Sequence, residues 1–112
     1  MPIAYPACFF QEDAGYSVVF PDLGYLATCS DSLAGAFSAA VDCLAGYLHA
    51  AQRDGEQVPP PSHLRAMDPA RIARELGAEP SESFVHMVTV DAGDYACIHF
   101  KKSFQKMLST HV

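Results

Sequence analysis

Residues 30–55, SDSLAGAFSAAVDCLAGYLHAAQRDG, constrain the fold more than any other stretch of the chain. Leu33, Phe37, Ala40, Val41, Leu44, Leu48 and Ala51 recur at the spacing of one helix face. Ser30, Asp31 and Ser32 offer N-caps, and Gly55 offers the stop. Gly35 and Gly46 each weaken such a helix by roughly 1 kcal/mol against Ala. That is tolerable where something packs closely, and Gly35, Ala39, Ala45 and Gly46 make a small-residue face that would allow it. A helix apolar along one side needs a partner layer to bury that side.

The flanking segments supply a sheet. Ile3–Phe10 reads as a strand, with Pro6 arguing for a bulge or an edge at that point. Gln11–Gly15 is a polar hairpin turn and Tyr16–Phe20 a second strand. Pro21–Gly24 is a turn, because Pro presets φ and Gly can take φ > 0, and Tyr25–Cys29 is a third strand. Val58–Ser62 is a stiff, extended connection. Asp68–Gly77 reads as a short helix, capped by Asp68, with Pro69 at its first position and Gly77 ending it. Phe84–Val90 is nearly continuously apolar, which suits a strand buried on both faces or one with a parallel neighbour. The last stretch, from Cys97, reads as a fifth strand. The order β-β-β-α-(α)-β predicts an α+β domain: a meander, one long helix on it, a right-handed crossover, and sheet order 3-2-1-4. Residues 1–92 form this domain. Residues 93–112 form a tail strand, expected either to join subunits or to be the remnant of a further module.

The 112 residues suggest one domain, and half of them are hydrophobic. Only 18% are charged, low for an exposed monomer, so a homodimer or tetramer is expected. A net charge of −6 argues against nucleic-acid binding by the chain as a whole and suits a basic protein partner. Lys101, Lys102 and Lys106 stand apart in a tail without carboxylates. They fit either phosphate contact or an ordinary solvated edge strand. Cys8, Cys29, Cys43 and Cys97 show no ligand spacing, and each sits in an apolar run, so they read as buried thiols. No leader peptide and no run of about 18 apolar residues is evident, which points to a cytoplasmic protein off the membrane.

Catalytic chemistry is sparse. Of the five histidines no two share ligand spacing on one face. His86, in the apolar fourth strand, is expected to be buried and hydrogen-bonded. No catalytic residue, metal site or cofactor is expected. The residues that invite a function are acidic turns: Glu12 and Asp13 in the hairpin, and Asp22 with Tyr25 beside it. Each acid has two readings, contact with a basic partner or an ordinary turn role. For Asp22 that role is closing its own turn through backbone N–H groups.

Taken in order, YPACFF, GYSVVFPDLG, ATCSDSLAGAFSAAVDCLAGYL and GEQVPPPS resemble the HicB-like antitoxin family, from Ile3 to Ser62. The resemblance implies a truncated RNase-H-like fold and a partner, HicA, a small basic toxin that cleaves mRNA. It also implies a C-terminal DNA-binding module by which many members repress their own operon. Three departures stand out. Gly24-Tyr25 replaces the usual Pro-Gly, and Ala34 and Gly35 replace a Glu-Glu helix start. The final segment looks like the lead into a ribbon-helix-helix but offers no helices, which leaves operator DNA binding open. A nuclease of the RNase H type needs acids on its first strand, its helix and its fourth strand. Asp42 and Asp91 could serve, but Ala7, Cys8 and Phe9 stand in the first strand. The expected function is therefore an antitoxin; the alternatives are an orphan dimerisation or ligand-binding domain and a residual nuclease.

Overall fold

The computed structural model describes residues 2–78 and 82–91. The order is β1 (Pro2–Glu12), β2 (Gly15–Phe20), a 3-10 turn (Pro21–Leu23), β3 (Leu26–Ser30) and α1 (Leu33–Asp54). A second 3-10 turn (Leu64–Ala66), α2 (Pro69–Glu75) and β4 (Ser83–Asp91) follow. The sheet order is β3-β2-β1-β4, with all three pairings antiparallel. The fold is α+β with the strand order expected from sequence. The expected tail strand, together with Cys97, His99, Lys101, Lys102, Lys106 and His111, lies outside the described residues.

Pro6 finds its place without a bulge. The β1–β4 register runs unbroken from Pro2↔Asp91 to Phe10↔Ser83. On the other side, the β1–β2 ladder reaches only to Cys8↔Val19. Among the described residues Pro6 therefore has a strand neighbour on one side alone, and its missing N–H disturbs no ladder there. In the hairpin, Gly15 has φ 149°, and a Cβ placed there would lie 2.3 Å from the Ser30 carbonyl oxygen. Only glycine lets the end of β3 come this close.

Helix α1 begins at Ser32, whose Oγ accepts the Gly35 N–H at 3.0 Å. It ends at Gly55, φ 69°. Ala36, Ala40, Leu44, Leu48 and Ala51 are buried, together with Ala45, so the stripe toward the sheet begins with small residues. Leu33 and Val41, expected on that stripe, are exposed. The small-residue face is realised at one glycine only. Gly35 is crowded by Ser30 and Ser32, whereas a Cβ on Gly46 would meet nothing within 4 Å. By length and composition α1 could cross a membrane, but its buried side is already packed on the sheet.

The parallel-neighbour reading of Phe84–Val90 does not hold, because β4 runs antiparallel to β1. The connection explains why. Helix α1 carries the chain back to the end of the sheet where β1 starts, and a strand entered there would run parallel to β1. Instead, residues 55–82 continue onto the other face, form α2, and enter β4 opposite Phe10. The right-handed rule for parallel crossovers therefore does not apply. This route also accounts for the apolar run. Val88 and Val90 are buried in the core under α1, while Val85 packs with Cys8, Phe10, Val19, Ile72 and Ala73 under α2.

Candidate functional site: an acidic hairpin beside an apolar groove

The two helices cover the sheet unequally. Helix α2 packs on β1 and β4. Among the described residues the β2–β3 half of that face carries no helix, and Ala27 and Cys29 of β3 are exposed there. The result is a groove of about 660 Å³. Phe10 and Val19 lie at its base with Ser17, Ala27 and Cys29, and Ala73, Leu76 and Ala78 form the wall beside α2. Among the described residues that line it, Glu12 and Asp13 are the charged ones. Both are exposed, and neither has an ion-pair partner among the described residues.

Tyr25 joins wall to base. Its hydroxyl donates to Glu75 Oε2 at 2.5 Å, linking the residue before β3 to the last residue of α2. That bond, then loss of solvent and the Glu75 charge, holds the phenol above its ordinary pKa, against Arg71, which lowers it. Arg71 lies 3.8 Å from the same carboxylate. Tyr25 also adopts φ 62°, the left-handed region, directly after Gly24 at φ 67°. An L-residue there costs about 1–2 kcal/mol. The Gly24-Tyr25 pair noted in the sequence thus builds two successive left-handed residues.

The candidate acids do not share one surface. The hairpin bearing Glu12 and Asp13 lies at one end of β2, and Asp22 lies at the other. Six residues of strand separate them, about 20 Å at ~3.3 Å per residue. Asp22 does not close its own turn either. Its Oδ2 accepts the Ser62 N–H at 2.7 Å, and its Oδ1 accepts the Ser62 hydroxyl at 2.6 Å. The carboxylate therefore fastens the connector to the turn between β2 and β3 across 40 residues. Nearby, the Tyr5 hydroxyl donates to the Pro59 carbonyl.

Other expectations are corrected. His86 is exposed, edge-on to Phe37 at 5.2 Å, because Phe84 and His86 sit where α1 begins and leaves the edge strand open. Phe84 itself stacks on buried Phe9 at 4.8 Å. Cys29 is exposed and Cys43 half-buried. Only Cys8 is a fully buried thiol among the described residues, and burial, with Asp68 nearby, pushes it up to about 11. Asp42 is exposed on α1, and Asp91 ends β4 opposite Pro2. Among the described residues no three His, Cys, Asp or Glu side chains gather as a metal ligand set. The groove was missed in the sequence. Its one signal was the small, mixed composition of Ala27–Cys29, which suits a strand face with no helix over it.

A family model described as the HicB-like antitoxin of bacterial toxin–antitoxin systems matches residues 5–96. Among solved structures, the chain is similar to one in a toxin–antitoxin complex from Streptococcus pneumoniae. The TM-score is 0.70 at 26% identity, covering 85% of this chain and 73% of that one. It is also similar to a chain of a HicA3 and HicB3 toxin–antitoxin complex, with TM-score 0.59 and 23% identity over 80% of this chain and 99% of that one. The N-terminal domain of the Burkholderia pseudomallei antitoxin HicB gives TM-score 0.55 and 20% identity, with 80% and 99% covered. No curated protein sequence matches.

Proposed function

The chain belongs to the HicB-like antitoxin family, and on that premise we propose that it neutralises a small, basic, mRNA-cleaving toxin of the HicA type by binding over it. The observation that carries this reading is the pairing of Glu12 and Asp13, exposed and without ion pairs among the described residues, with an apolar groove they border. Apolar area supplies affinity in such an interface, and charge sets the rate of approach. Asp22 takes no part in that approach, since both its oxygens are engaged by Ser62. Binding, not catalysis, is the chain's role. Self-association as a homodimer or tetramer belongs to the same reading, and light scattering at tens of micromolar tests it by a mass above one chain.

The experiment for the main reading is the association rate with the toxin of the chain's own operon. Charge steering is screened over about 8 Å at physiological salt. The wild-type rate should fall as salt rises. E12K/D13K should associate about 10-fold more slowly at low salt. A folded double variant that associates at the wild-type rate would remove the hairpin from the interface.

A further inference from the structure

We propose that residues 55–78 form a hinged strap that opens as one unit while the sheet and α1 stay folded, and that the turn joining β2 to β3 is its latch. The inference stands apart from the antitoxin reading. Its first support is how the strap is held. Ile72 and Ala73 are its buried side chains, and Val58 and Met67 are half-buried. The other ties are polar and come from the meander. Asp22 accepts the N–H and the hydroxyl of Ser62, at 2.7 and 2.6 Å. Tyr25 donates to Glu75 at 2.5 Å, and Tyr5 donates to the Pro59 carbonyl. Asp22 and Tyr25 belong to one short stretch between β2 and β3. It grips the strap twice, ahead of the second 3-10 turn at Ser62 and at the end of α2 at Glu75. Two grips from one turn release together, so the strap opens cooperatively.

The second support is the hinges. Gly55 and Gly77 bracket the strap in left-handed conformations, φ 69° and φ 77°, and a Cβ at either would meet nothing within 4 Å. Hinges are a few element-terminal residues that absorb a change in φ and ψ, and both glycines have the room to do so. The third support is what remains. The core under α1 is built from the strands, α1 and Leu23, and the strap reaches it through Val58. Strand β4 is held by β1 along its whole register, from Ser83 to Asp91, so it keeps its place without the strap. The second cluster does depend on the strap, because Ile72 and Ala73 cover Cys8, Phe10 and Val19. Opening therefore bares one face of the sheet and takes Ala73, Leu76 and Ala78 out of the groove.

Amide hydrogen exchange of the free chain, read by mass spectrometry, tests the strap. In α2 and just after it, the N–H groups of Ile72, Leu76 and Ala78 bond to the carbonyls of Asp68, Ile72 and Ala73. They should exchange at least about 10-fold faster than the amides of residues 40–48 at the centre of α1. D22A should quicken α2 exchange about 100-fold and S62A about 10-fold, and Y25F should quicken it too. F9L loosens the core that survives opening. It should quicken α1 exchange about 10-fold and leave α2 exchange unchanged. Trypsin gives a second readout, because Arg71 and Arg74 lie in α2 and are cut only when it opens. Cleavage there should be fastest in D22A, slower in S62A, and slowest in wild type and F9L alike. Equal exchange of α2 and α1, or an F9L effect as large on α2 as on α1, overturns the strap, since the domain would then open only as a whole. Exchange of α2 that D22A does not change overturns the latch.

Discussion

Replacing Asp22 by alanine should destabilise the fold and leave toxin association intact. The substitution removes two short hydrogen bonds, 2.7 Å from the Ser62 N–H and 2.6 Å from its hydroxyl. Bonds to a charged group contribute about 1.5–3 kcal/mol each, and this half-buried pair belongs at the low end. D22A should therefore cost about 3 kcal/mol, which lowers Tm by about 12 °C at ~4 °C per kcal/mol for a chain of this size. S62A removes only the hydroxyl bond and should cost about 1.5 kcal/mol, or ~6 °C. Because that bond is already lost in D22A, the double variant should be little worse than D22A. The coupling should be about 1.5 kcal/mol. Urea titration followed by circular dichroism measures all four proteins. D22A within about 0.5 kcal/mol of wild type, or strictly additive single effects, would refute the clamp. A D22A chain that is folded but associates slowly with the toxin would restore Asp22 to the interface.

Three further outcomes follow from the packing. G15A places a methyl 2.3 Å from the Ser30 carbonyl at φ 149°; it should cost more than about 3 kcal/mol, and a near-wild-type melt would contradict that approach of β3. With its thiol at about 11, Cys8 should stay unlabelled by maleimide at pH 8 while exposed Cys29 reacts within minutes; equal labelling would mean that the sheet opens readily. Because the Cys8 value is raised on folding, its contribution is whole below the free-thiol range near 9 and is lost as pH climbs toward 11. C8A should therefore flatten the alkaline loss of stability between those values, and an unchanged profile would assign that loss to another group. F9A removes a buried ring that stacks on Phe84 and lies tilted against Phe37, and should cost about 3–5 kcal/mol by thermal melt; a loss under about 1 kcal/mol would show that this part of the core is loose.

Local signals carried most of the fold. Ser32, Gly55, Asp68 with Pro69, and Gly15 each punctuate the chain through their own backbone chemistry, so element order and boundaries could be read a few residues at a time. The direction of β4 could not. It depends on where residues 55–82 deliver the chain, and the apolar run Phe84–Val90 is equally compatible with either direction. The outward placement of Leu33, Val41, Cys29 and His86 has the same origin, since exposure is set by which part of the sheet a helix covers. The site was legible only in part. The acidic hairpin is local and visible, but the Asp22–Ser62 clamp joins residues 40 apart. The groove is a consequence of α2 being too short, at seven residues, to cover four strands.

Inhibition of cleavage is the direct test of whether this chain silences a ribonuclease by occupying it. The toxin of the chain's own operon is incubated with an mRNA substrate while the purified chain is titrated in, and intact RNA is quantified. Cleavage should fall linearly with added chain and end at a fixed stoichiometric ratio. E12K/D13K should reach the same end point only after longer preincubation. Undiminished cleavage in the presence of a folded, stoichiometric excess of the chain would overturn the antitoxin reading.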